Sequence, residues 1–152
     1  MSNSKIGLDN VDKEIINILI IDSRLSYREI AKAVKVSVGT AINRIKNFEK
    51  EGVIKRYTTI IDYDKIGFDV EVLIEMRISK GKLFEVERKI ANHPNVFAVY
   101  DITGDFDAAI LARFKNRREM DGFLKKIQTY DFVERTFTKF ILHTIKEKEI
   151  SL

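Results

Sequence analysis

The sequence predicts an α+β chain in two modules, helices first and then a mixed run of strands and helices. Three observations carry this. Apolar residues recur at helical spacing up to about Glu51, alternation of apolar and polar residues sets in from Val70, and the excess positive charge is confined to the first part. The first 61 residues carry eleven Lys and Arg against seven Asp and Glu. The rest carries sixteen of each, so the whole net charge of +4 belongs to the first 61 residues. A nucleic-acid-binding module joined to a neutral domain has that asymmetry.

Composition narrows the classes. With 152 residues, 45% hydrophobic and 33% charged, the chain has the make-up of a soluble globular protein with a real core. It has no cysteine, which removes disulfides and thiolate metal sites. The longest apolar stretch, Ile15 to Ile21, is broken by Asn17 and falls short of the roughly 20 residues of a membrane span. The start, Met1-Ser2-Asn3-Ser4-Lys5, lacks the apolar core of a signal peptide. The expectation is a cytoplasmic protein with no membrane partner.

Leu8, Val11, Ile15, Ile18 and Leu19 follow helical spacing to Ile21, with Asp9 and Asp12 at the positive end of the helix dipole. Ser26 and Glu29 form a capping-box pattern that opens a short helix, Tyr27 to Val34, burying Ile30, Ala31 and Val34. Lys35-Val36-Ser37 makes a turn, and Ser37 caps a third helix that runs to about Glu51 and stops at Gly52. This is a helix-turn-helix pattern. Val38, Ala41, Ile42, Ile45 and Phe48 make the apolar stripe of the third helix. The opposite face carries Ser37, Gly39, Thr40, Asn43, Arg44 and Asn47, flanked by Lys46 and Lys50. Short polar groups early and cations on the flanks suit base edges and phosphates respectively. An ordinary solvated helix face gives a similar pattern; the capped turn before it and the confined charge favour DNA.

From Val53 to Asp62 the chain is β-prone and basic at its start, which fits a short wing or a strand linking the modules. The linker strand is favoured, with Lys55 and Arg56 as secondary phosphate contacts. Asp64-Lys65-Ile66-Gly67 reads as a hinge turn. Beyond it, Val70, Val72, Ile74, Met76 and Ile78 share one strand face against Glu71, Glu75 and Arg77. Leu83, Val86 and Ile90 mark a helix ending at His93-Pro94. Strands follow at Val96 to Ile102 and Ala108 to Phe114, with Gly104-Asp105-Phe106-Asp107 reversing between them. Met120, Phe123, Leu124 and Ile127 give a second helix, and a last long strand runs from Val133 to Ile145 with Thr136, Thr138 and Thr144 on one face. The order β-α-β-β-α-β is ferredoxin-like. The expected division is a DNA-binding domain over 1–54, a linker strand and hinge over 55–67, and the ferredoxin-like domain over 68–152.

His93 and His143 stand apart with no ligand pattern around them, and the seven glycines are scattered rather than gathered into a phosphate loop, so neither a metal nor a cofactor is expected. Asp105 and Asp107 could serve as acid and base of a small enzyme. As turn residues in a hairpin they have a simpler role, and no catalytic residue is assigned.

The quoted stretches together resemble the Lrp/AsnC regulators, the leucine-responsive or feast/famine family, over essentially the whole chain. They are Leu8-Asp9 with Asp12, Ser26-Tyr27-Arg28-Glu29-Ile30-Ala31, Val36-Ser37, Arg44-Ile45 with Phe48-Glu49, Glu51-Gly52-Val53-Ile54, and Thr103-Gly104-Asp105-Phe106-Asp107. Gly39 stands where larger residues are common, and Lys55-Arg56 makes the following link more basic than usual. The resemblance implies a winged helix-turn-helix regulator of transcription that binds palindromic double-stranded DNA. It implies homodimers built by strand pairing that assemble to octamers or related rings. It implies an amino-acid effector held by Tyr100, Thr103, Gly104, Asp105 and Asp107, with Thr136 and Thr138 from the last strand. The alternatives are an amino-acid-sensing assembly protein whose helices bind another protein, and the small enzyme on Asp105 and Asp107.

Overall fold

The computed structural model describes residues 6–79 and 81–152, with the backbone alone at Leu83, Val86 and Glu87. The chain divides into two compact units: residues up to Ile60 together with Lys146–Leu152, and Ile61–Ile145.

The first unit holds α1 (Asn10–Ile21), α2 (Tyr27–Ala33) and α3 (Val38–Lys50). Each begins where a side chain takes up an orphan backbone N–H. At α1 the Asp9 carboxylate accepts from the Asp12 N–H at 2.8 Å and the Asp12 carboxylate accepts from the Asp9 N–H at 3.0 Å. Ser26 and Glu29 do the same for α2, at 3.3 and 2.8 Å. The helices enclose a core in which Ile15, Ile30 and Ile45 are at most 1% exposed and Phe48 closes the far end. Val38 departs from the expected stripe: it is 40% exposed, and the buried face of α3 starts at Ala41. A first-turn side chain leans toward the helix start and so points past the core. Asn17 on α1 holds the tail through its side-chain amide, which donates to the Leu152 carbonyl at 3.1 Å and accepts from the Leu152 N–H at 2.9 Å.

The linker strand expected over 55–62 does not form; these residues carry no regular secondary structure, and Ile60 is 89% exposed. Strand propensity is realised only against a hydrogen-bonding neighbour, and the described residues offer this segment none. The hinge turn forms as a 3-10 turn, Asp64–Ile66, closed by Gly67.

The second unit contains β1 (Val70–Ile78), α4 (Leu83–Ala91), β2 (Val96–Asp101), β3 (Ala108–Phe114), α5 (Arg117–Gln128) and β4 (Val133–Phe140). Its strands pair antiparallel in the order β2-β3-β1-β4, the ferredoxin-like arrangement. Val72, Ile74 and Met76 of β1 and Ile110, Ala112 and Phe114 of β3 pack with Ile90 of α4 and Met120, Phe123 and Ile127 of α5. Both helices therefore cover one face of the sheet. The inward side expected of Leu83 and Val86 lies outside the described residues. The last strand ends at Phe140, five residues before the expected Ile145, so His143 and Thr144 lie beyond the sheet. The reason is the partner: Phe140 pairs with Val72, Ile141 donates to the Glu71 carbonyl at 2.9 Å, and β1 begins at Val70.

The opposite sheet face is uncovered by the elements of this unit. Cross-strand partners share a face, so the row Tyr100, Ala109, Glu75 and Phe137 lies on it, as does the Arg77–Arg135 pair. Its large aromatics Phe97, Tyr100 and Phe137 are 42%, 54% and 46% exposed.

Candidate functional site

The turn before α3 is tight. Val36 donates to the Ala31 carbonyl at 3.0 Å while Lys35 sits at φ 55°, a left-handed backbone that is uncommon outside glycine. Ser37 then caps α3: its hydroxyl accepts from the Thr40 N–H at 3.1 Å and lies 2.8 Å from the Thr40 hydroxyl. With Ala41, Ile45 and Phe48 turned into the core, the outer face of α3 is fixed. Gly39, Asn43, Lys46, Asn47 and Lys50 are exposed there. Among the described residues, the side chains of Asn43, Lys46, Asn47 and Lys50 have no hydrogen-bond or ion-pair partner. A Cβ at Gly39 would meet only the Ser37 hydroxyl, at 3.9 Å, so this stretch of backbone lies bare.

Arg44 has a different employment from the one expected of a base-reading side chain. It turns toward α1, and its Nη1 donates to Asp9 at 2.6 Å and to Asp12 at 2.5 Å, with its side chain 30% exposed and that of Asp12 14%. Hydrogen bonding to the guanidinium lowers the Asp9 pKa, and the same bonds raise that of Arg44. Arg44 thus ties the start of α1 to the middle of α3 and fixes how the exposed face is presented. Arg44→Ala is expected to lower the melting temperature of the helical unit by on the order of 5 °C. The Asp9 share of that gap is complete above its ordinary pKa of 3.8, because the folded value lies lower. It is lost as pH falls through the folded value, so melting curves of variant and wild type converge in acid. A gap that stays constant down to pH 2 would contradict the tie.

Lys55 and Arg56 are exposed on the segment after α3. Just beyond them the Tyr57 hydroxyl donates to Glu49 at 2.8 Å; burial and this hydrogen bond push its pKa up to about 12.

In the second unit the seven expected effector residues are not brought together. Thr136 and Thr138 pair with Met76 and Ile74, on the face that the helices cover, and the Thr136 hydroxyl accepts from Gln128 at 3.2 Å. Tyr100 lies on the open face. The loop between β2 and β3 holds the rest: Thr103, Gly104 and Asp105 are exposed, with Gly104 at φ 120°. Asp107 is occupied structurally. Its carboxylate accepts from the Ile78 N–H at 2.8 Å, where the β1–β4 register shifts, and its own N–H donates to the Met76 carbonyl.

A different group does converge. Glu75, Arg77, Asp105, Phe106, Arg135, Phe137 and Lys139 line a cavity of about 390 Å³ on the open sheet face. Of these only Asp105 was expected. Alternation along each strand places Arg77 on the polar face; that Arg135 stands directly opposite depends on pairing register, which spacing does not reveal. His93 closes α4 as expected, and its ring packs 4.7 Å from Phe123, where burial lowers its pKa. Among the described residues no cluster of His, Asp or Glu has the form of a metal site, and no helix is long and apolar enough to cross a membrane.

Comparison with known proteins agrees with this layout. The family model described as winged helix-turn-helix DNA-binding matches residues 8–55, and that described as Lrp/AsnC ligand binding domain matches residues 71–150. The chain belongs to the Lrp/AsnC family. An HTH-type transcriptional regulator of Pyrococcus abyssi (strain GE5 / Orsay) is 46% identical over 140 residues, covering 92% of this chain and 95% of that protein. The HTH-type transcriptional regulator FL11 of Pyrococcus horikoshii is 37% identical, covering 94% and 95%. A transcriptional regulator of Neisseria meningitidis, solved in complex with L-Met, shares the fold at a TM-score of 0.87 and 22% identity, over 96% of each chain. Like its Lrp/AsnC relatives, the chain is a helix-turn-helix regulator of transcription and not an enzyme. The acid/base alternative for Asp105 and Asp107 falls with that.

Proposed function

We propose that the exposed face of α3 reads palindromic duplex DNA as part of a homodimer, and that the sheet unit takes an amino-acid effector which alters assembly or the spacing of the DNA-reading units. The observation that carries the first part is the free set Asn43, Asn47, Lys46 and Lys50 on one helix face. Two amide side chains one turn apart on the exposed face can bond adenine edges, and the cations beside them reach phosphates. Ser37 and Thr40 act as the cap that sets the helix, Gly39 as the close-approach point, and Arg44 as the brace behind it. Lys55 and Arg56 add phosphate contacts. The cytoplasm, where the DNA is, is the place of action.

For the effector, support comes from the ligand-binding description of the second family model and from the L-Met held by the neisserial relative. Asp105 belongs to the cavity, with Tyr100, Thr103 and Gly104 beside it on the face and loop that frame it; Asp107 holds the loop in place. Thr136 and Thr138 leave the site for the helix-covered face. The exposed aromatics of the open face support burial against a second copy, with octamers or related rings as the larger assembly.

Salt dependence of binding tests the DNA reading. Fluorescence anisotropy on duplex DNA should give a linear fall of log affinity with log salt, and Lys46→Ala and Lys50→Ala should each reduce the slope by about 1. Unchanged slopes would remove both lysines from the interface.

A further inference from the structure

Val38 is the one large apolar side chain of α3 that stands exposed, at 40%, while Ala41, Ile45 and Phe48 are buried and Ile42 is half-buried. A lone exposed valine is ordinary on a protein surface. This one opens α3, and in a helix-turn-helix the opening residues of the second helix of the motif meet base edges. Around Val38 the tip of α3 offers a hydrogen-bonding partner little. The Ser37 and Thr40 hydroxyls lie 2.8 Å from each other, and that of Ser37 also accepts from the Thr40 N–H. Gly39 has no side chain, and the first turn carries neither an acid nor a base. The exposed amides begin only at Asn43, more than a turn further on. What the tip presents outward is an isopropyl group beside bare backbone.

The complement of such a tip is an apolar group on a base edge, and the major groove offers one methyl: the C5 methyl of thymine, beside hydrogen-bond donors and acceptors. Resting on the reading of α3 as the DNA-contacting helix, we propose that Val38 packs on a thymine methyl in each half-site and so specifies that base pair by apolar contact. Valine is short, so the backbone must come close for its methyls to reach. Gly39 permits this: a Cβ there would meet only the Ser37 hydroxyl, at 3.9 Å, and without one the outer side of the turn stays open to the base. The same tip disfavours cytosine. Cytosine lacks the methyl and presents an amino donor, and burying that donor against an isopropyl group leaves it unpaired. The amides of Asn43 and Asn47 lie further along α3 and address other base pairs, so the methyl contact is a separate element of specificity.

Deoxyuridine in place of thymidine tests this, because it deletes the methyl and keeps the pairing. A duplex site selected from genomic fragments by the full-length wild-type chain is remade with each thymine replaced in turn, in both half-sites at once. At one such position wild type should lose roughly fourfold in affinity for each buried methyl, and so roughly fifteenfold for the two. Val38→Ala removes both valine methyls and favours the helix, so its melting curve should match or exceed that of wild type. It should bind the thymine duplex about as weakly as wild type binds the deoxyuridine one, with less than about a twofold difference between the two duplexes. Asn43→Ala should keep the full deoxyuridine effect, since it acts on a different base pair. A wild type that binds its site specifically yet tolerates deoxyuridine at every position would overturn the proposal and leave α3 as the reading helix. So would a deoxyuridine effect that survives Val38→Ala at full size. If wild type holds the selected site no better than random duplex, the DNA reading itself falls, and the Val38 contact with it.

Discussion

Replacing Asn43 and Asn47 together by alanine lowers affinity for a specific DNA site by roughly 30-fold to 10⁴-fold, with little change in affinity for random duplex. Each amide that bonds a base edge in two places contributes on the order of 1–3 kcal/mol of discrimination, and two separate contacts approximately add. Both side chains are exposed on α3 and engage nothing else among the described residues, so folding does not depend on them. Alanine is the better helix former, which leaves the helical unit as stable as before or slightly more so. Neither asparagine is charged, so the salt slope of binding stays at the wild-type value. This separates the pair from Lys46 and Lys50, whose loss acts on every sequence alike. Specific binding that survives the double substitution would mean that another surface reads the bases.

Phe114→Ala destabilises the sheet unit by about 3–5 kcal/mol, since truncating a buried Phe removes its transfer energy and leaves a cavity. Phe114 is 1% exposed at the end of β3, its ring centroid 5.4 Å from that of Phe123 on α5. The β3 residues behind it, Ala108, Ala109 and Ala112, are too small to refill the space. Urea unfolding followed by tyrosine fluorescence of the sheet unit measures the loss. The helical unit has its own core of Ile15, Ile30, Ile45 and Phe48 and keeps its helical circular dichroism in the variant. A loss below about 1 kcal/mol would show that α5 collapses onto the vacated space.

Much of the fold was legible because its signals are local. The Ser26–Glu29 box, the Ser37 cap and Gly52 mark helix ends within four residues, and the strand at Val70–Ile78 announces itself by alternation. What failed was long-range. The segment 55–62 has strand-forming residues but no neighbour to pair with, and the last strand stops where β1 stops rather than where its own sequence changes. Arg44 looks like its polar neighbours on α3, and only the packing of α1 brings Asp9 and Asp12 to it. Thr136 and Thr138 sit at the spacing of a shared face, yet which face that is follows from their pairing with Met76 and Ile74. The Arg77–Arg135 opposition is hidden for the same reason. No signal in residues 146–152 pointed to the pairing of Leu152 with Asn17, since an isolated amide on a helix reads as a solvated residue.

The most direct test of α3 as the reading helix is a competition experiment at fixed salt. Wild type and the Asn43→Ala/Asn47→Ala variant are each given labelled genomic fragments selected by the wild-type protein, with random duplex DNA as competitor. Wild type should hold the selected fragments against excess competitor, and the variant should exchange them freely while binding total DNA equally well. A variant that retains the selected fragments as wild type does would contradict the assignment of base reading to this face of α3.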